Sequence, residues 1–99
     1  MKHLGCWEDD SDRAINSQKF KVNKNSAVSE CQLIATGKGF NVFGVESEDE
    51  CFTASDAGYT YKRYGSENNC KNGIGGDWAM DVYEIICKFV HQIETIIMI

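Results

Sequence analysis

Residues 26–53 read SAVSECQLIATGKGFNVFGVESEDECFT, a helical stripe followed by two β-rich runs. Asn25 or Ser26 can cap a helix, because a short side-chain oxygen accepts hydrogen bonds from first-turn N–H groups. Val28, Cys31, Ile34 and Ala35 then return to one face at helical spacing. This predicts a helix near residues 27–36. Gly37 and Gly39 stop it, glycine supplying the left-handed C-terminal turn. Phe40, Val42, Phe43 and Val45 follow as a β-rich run in which Gly44 marks a bulge or a close backbone approach. Glu46 to Glu50 is an acidic turn. Cys51, Phe52 and Thr53 return as the second strand of a hairpin. A single helical stripe among several short β-rich runs predicts an α+β fold, a small antiparallel β-sheet packed against one main α-helix.

Leu4 to Trp7 reads as a first strand around Cys6. Glu8, Asp9, Asp10, Ser11 and Asp12 form an acidic turn, and Arg13-Ala14-Ile15 starts a second short strand. Asn16 to Asn25 is a loop or an irregular edge strand. Beyond the hairpin, Ala54 to Asn72 is a long segment with Tyr59, Tyr61 and Tyr64 interleaved with Lys62 and Arg63. Gly73, Gly75 and Gly76 form a flexible turn, and Trp78, Met80, Val82 and Ile85 carry a final strand. Residues 3–85 make one module. Residues 86–99 are an apolar tail in which Ile86, Phe89, Ile93 and Ile96 recur at 3–4–3 spacing. The tail is expected to be buried against its own domain. A homodimer through this stripe is the alternative, because leaving it in water would create a sticky patch.

The chain has 99 residues and a net charge of -5, which argues against nucleic acid as a partner, since phosphate neutralisation needs a basic face. No stretch is long and apolar enough to span a membrane. Met1 and Lys2 lead directly into His3 and Leu4 without the apolar region of a signal peptide, which reads as a mature segment. The five cysteines, Cys6, Cys31, Cys51, Cys70 and Cys87, contain no CxxC pair, so zinc is disfavoured. Two disulfides and one leftover thiol fit a small secreted domain, and four cysteines allow three pairings. Buried thiols in a cytosolic protein are the other reading.

No catalytic set emerges, and no cofactor or metal is expected. Cys87 and His91 stand four residues apart, but the surrounding isoleucines favour a neutral thiol. The acidic runs at Glu8–Asp12 and Glu46–Glu50 lack the spacing and glycine of a calcium loop and read as solvated turns. If the two runs lie together, their repulsion calls for a shared cation. Tyr59, Tyr61, Arg63 and Tyr64 are the candidate ligand-binding residues. Aromatic faces cover the apolar faces of sugars, while phenol and guanidinium groups hydrogen-bond hydroxyls. Trp7 and Trp78 read as core.

Several segments together resemble the WSC-type and related PAN-like extracellular modules. They are Leu4-Gly5-Cys6-Trp7, the Cys31 helix, Phe40-Asn41-Val42-Phe43-Gly44-Val45, Glu50-Cys51-Phe52, Tyr64-Gly65, Cys70, Gly76 and Trp78 to Ile85. Where WSC modules usually carry eight cysteines, this chain resembles a reduced, four-cysteine variant. The resemblance implies a secreted binding module and not an enzyme. Its partner would be a glycan, bound in lectin-like fashion, or an extracellular protein, as for a matrix component, toxin subunit or inhibitor. The helix-to-sheet staple of related modules implies pairing of Cys31 with Cys51. Cys6 then pairs with Cys70, and Cys87 is left as a free or intermolecular thiol.

Overall fold

The computed structural model describes residues 1–86. The expectations for Cys87, His91 and the remainder of the apolar tail lie outside the described residues. The sheet has five strands in the order β1-β7-β3-β4-β2, every neighbouring pair antiparallel. These are β1 (Lys2–Glu8), β2 (Phe20–Lys21), β3 (Val42–Glu46), β4 (Glu50–Thr53) and β7 (Ala79–Glu84). Helix α1 (Ala27–Lys38) lies on one face, and a single-turn helix α2 (Ala57–Thr60) serves the other. The strands β5 (Cys70–Lys71) and β6 (Ile74–Gly75) form a separate hairpin. The fold is thus the expected α+β arrangement. Cys6–Cys70 and Cys31–Cys51 are disulfide-bonded.

Alternation along the central strands divides the core in two. Phe43, Val45, Cys51 and Tyr83 face α1 and pack on Ala27, Cys31 and Ala35, spaced i, i+4, i+8. The small helix residues let helix and sheet approach closely, and Cys31–Cys51 closes the contact covalently. The helix starts at Ser26 and runs through Gly37 to end at Gly39, whose φ of 77° supplies the left-handed cap. Val42, Phe52, Met80 and Val82 face the other way, with Ala14, Ile15, Ala57 and Tyr61. Gly44 is a close approach, as a Cβ there would stand 2.9 Å from Met80 Sδ.

Three local expectations are corrected. Arg13-Ala14-Ile15 is not a strand. Asp9 Oδ1 takes the Ala14 N–H at 2.8 Å, so a side chain supplies the acceptor that a ladder would otherwise provide. Residues 54–72 contain α2, too short to show a helical period. The glycine stretch is no flexible turn. Asn72 (φ 56°) and Gly73 (φ 77°) form the two-residue turn of the β5–β6 hairpin, the left-handed pair that Asn-Gly favours.

Candidate ligand-binding site

On the face away from α1, the chain from Asp9 to Ile15 folds over the sheet around one guanidinium. Arg13 Nη1 reaches Asp9 Oδ2 at 2.9 Å and Glu46 Oε2 at 3.2 Å. The same guanidinium lies 4.8 Å from the Phe52 ring centre and 5.1 Å from that of Trp78. The two acidic turns do meet here, and Arg13 is the cation between them. The solvated-turn reading is therefore corrected at two positions: Asp9 and Glu46 are buried, while Asp10, Asp12 and Glu48 stay exposed.

Burial pushes the Glu46 carboxyl up to about 9, helped by its hydrogen bond with Asp9 and by the charge there. Burial opposes ionisation of Asp9 too. Hydrogen bonds from Glu46, the Ala14 N–H and Arg13 outweigh it and hold Asp9 below the usual aspartate value. Glu46 is thus the protonated partner at neutral pH. Its Oε1 is buried with no hydrogen-bond partner among the described residues, an environment that disfavours the ionised form.

Trp78 is corrected from core to surface and is 50% exposed. Its φ of 54° breaks strand alternation just before β7, so the indole does not join Met80 and Val82 on the inner face. Its carbonyl accepts the Asp9 N–H at 2.9 Å, which ties the tryptophan to the acidic loop. With the Arg13 guanidinium against the ring, the exposed part of the indole opens on a hollow of about 290 Å³. Glu8, Asp9, Asp10 and Glu67 complete that hollow.

The four residues singled out in the sequence separate. Arg63 and Tyr64 stay together at the far end of the acidic loop. Arg63 Nη2 pairs with Asp12 Oδ2 at 2.6 Å, and the Tyr64 hydroxyl donates to the Asp12 carbonyl. Tyr61 is buried, edge-on to Trp7 at 5.3 Å, and presents no face. Tyr59 is 91% exposed but lines another hollow, with Asn41, Ser55 and Glu84. Asn41 and Glu84 place it at the end of β7 opposite Trp78, on the order of 17 Å away along the strand. Arg13, Glu46 and Trp78 were missed. The signal at Trp78 was Gly75-Gly76-Asp77 before it, a turn that detaches it from the strand pattern.

The family description "WSC domain" matches residues 3–78. The chain belongs to the WSC domain family. This is a family of extracellular binding and sensor modules. The matched span contains all four disulfide cysteines, the acidic loop and Trp78. No curated protein matches the chain. Among the described residues, no helix is long and apolar enough to cross a membrane, and no group of three or more His, Cys, Asp or Glu side chains is arranged to hold a metal.

Proposed function

We propose that this WSC domain is a secreted, non-catalytic carbohydrate-binding module that seats a sugar ring on Trp78. The observation that carries the reading is an indole half in water, backed by Arg13 and bordered by the carboxylates of Glu8, Asp10 and Glu67. An indole face covers the apolar C–H face of a pyranose, and carboxylate oxygens accept hydrogen bonds from its hydroxyls. Arg13 holds the ring in place, which lowers the ordering cost of binding. Glu8, Asp10 and Glu67 repel uronates and sulfated sugars, so the ligand of this hollow is an uncharged glycan. Arg63 and Tyr64 extend the surface along the acidic loop, while Tyr59 offers a separate stacking face. Two disulfides suit an oxidising, extracellular setting.

The test is a glycan array followed by calorimetry on the wild type, Trp78→Ala and Tyr59→Ala. Loss of binding in Trp78→Ala with retention in Tyr59→Ala is expected. Full retention in Trp78→Ala would overturn the assignment. Binding of an extracellular protein with no glycan signal would replace it with the protein-interaction reading.

A further inference from the structure

A second cleft has the opposite electrical character. It lies between the Lys24-Asn25 loop, the turn after β3 and the β5–β6 hairpin, and measures about 450 Å³. That is within the size range of small-ligand sites. Lys24, Lys71, Asn25, Asn69, Asn72 and Glu48 give it a polar lining. Among the described residues Lys24 and Lys71 form no ion pair, although the chain carries net charge -5. The Asn25 and Asn72 amides likewise make no side-chain hydrogen bond among the described residues, so their donors and acceptors face solvent.

The walls are fixed. Ser47 and Glu48 donate their N–H groups to the Gly76 and Gly75 carbonyls at 3.2 and 3.3 Å. A Cβ at Gly75 would stand 1.8 Å from the Ala79 carbonyl oxygen, so the hairpin backbone rests directly on the start of β7. Cys6–Cys70 anchors the hairpin to β1. Ser47 and Glu48 both hold left-handed backbone, at φ of 49° and 71°. Such conformations persist only where the surroundings enforce them, and they cluster at binding sites.

We propose that this cleft is a second saccharide site, selective for a sugar ring that bears an anionic group, a carboxylate or a sulfate. Lys24 and Lys71 pair with the anion, and the amides of Asn25, Asn69 and Asn72 hydrogen-bond ring hydroxyls as donors and acceptors. The inference rests on the glycan-binding reading above, but uses none of its residues. The module then reads two chemistries at once: an uncharged ring at Trp78 and a charged one here.

The test is calorimetric titration of the full chain with three probes: an oligogalacturonate, a sulfated heparin-derived tetrasaccharide and uncharged cellotetraose. The variants are Lys24→Gln/Lys71→Gln, Glu48→Gln and Trp78→Ala. One of the anionic probes is expected to bind, and which one identifies the anion. Its affinity should fall about tenfold or more in the double lysine variant. It should rise in Glu48→Gln, where a repelling carboxylate is removed, and stay unchanged in Trp78→Ala. Equal binding by the double variant overturns the site. So does inorganic sulfate that competes as well as the sulfated sugar, because charge alone would then explain the affinity. Binding of cellotetraose without either anionic probe removes this site and leaves the Trp78 reading standing. Silence from all three probes removes both.

Discussion

The two faces of the sheet are held by different means. Against α1, the contact is small, apolar and covalent: Ala27, Cys31 and Ala35 on Phe43, Val45 and Tyr83, with Cys31–Cys51 between them. Against the opposite face lie the single turn of α2 and irregular chain, and there Ala14, Ile15, Ala57 and Tyr61 pack on the sheet beside a polar tie. Arg13 joins Asp9 to Glu46 and is flanked by two aromatic rings. A helix satisfies its own backbone, so it can lie on a sheet with only apolar contacts. A loop cannot, so Asp9 must serve both the Ala14 N–H and the guanidinium. The polar face carries the hollow at Trp78, where the charges and the tryptophan are already fixed in place.

The largest effect is expected on the covalent side. Replacing Cys31 and Cys51 together with alanine should cost about 2–5 kcal/mol in denaturant unfolding, toward the upper end because both are fully buried. On the polar side, Arg13→Met should cost about 3 kcal/mol, since it leaves buried Asp9 without its cation. Arg13→Lys should rescue little, because a compact ammonium cannot contact two carboxyls and two rings as the broad guanidinium does. The two are distinguished by binding. The cysteine variant, where it remains folded, keeps its glycan affinity, while Arg13→Met loses affinity as Trp78 loses its support. If both variants bind normally, the polar face is not what organises the site.

The same contrast is sharpened by pH. Glu46 is raised from 4.5 to about 9, so between those values the folded state holds a proton that the unfolded chain releases. Its contribution is full below pH 4.5 and is lost progressively as pH rises, until it is gone above about 9. Asp9 works in the reverse sense. Held below its ordinary 3.8, it contributes above that pH and is lost as pH falls further. Thermal melting should therefore show a stability maximum in mildly acidic solution and a decline on the alkaline side. Glu46→Gln, whose amide can still donate to Asp9, should flatten the alkaline decline. Parallel profiles for the two proteins would remove Glu46 as the cause.

What the sequence disclosed follows the same division. The α1 face was legible because its determinants are local and periodic: Val28, Cys31, Ile34 and Ala35 at helical spacing, then a hairpin of alternating apolar residues. Both disulfides followed from resemblance to WSC-type modules, as the residues alone left three pairings open. The polar face was not legible, because Asp9, Arg13, Glu46 and Trp78 meet only after the chain has crossed the sheet. A buried carboxyl pair looks in sequence like two ordinary acidic turns. Of the four tyrosine-loop residues, Tyr61 could not be known to point inward, since burial there depends on Trp7 of the distant β1. The Asn72-Gly73 hairpin carries a legible Asn-Gly signal, which the expectation of one flexible turn over Gly73, Gly75 and Gly76 did not use.

The smallest effect tests the helix itself, and its sign depends on backbone alone. Gly37 lies inside α1 with ordinary helical backbone, and a Cβ there would meet nothing within 4 Å. Alanine at that position loses less conformational freedom on folding and packs against no neighbour. Gly37→Ala should therefore stabilise the protein by about 0.5–1 kcal/mol. Gly39, two residues later, also has open space around its Cα, yet it stands at φ 77° as the left-handed cap. There alanine must adopt a conformation that L side chains disfavour, so Gly39→Ala should destabilise by about 1 kcal/mol. Both positions are at the surface and neither touches a ligand hollow, so unfolding midpoints should move in opposite directions while glycan affinity stays constant. If both substitutions destabilise, Gly37 is not a simple helix-interior glycine and the helix ends where the sequence pattern placed it, near residue 36. If both are neutral, the end of α1 contributes little to the hold on that face, and Cys31–Cys51 with the Ala27 and Ala35 contacts carries it alone.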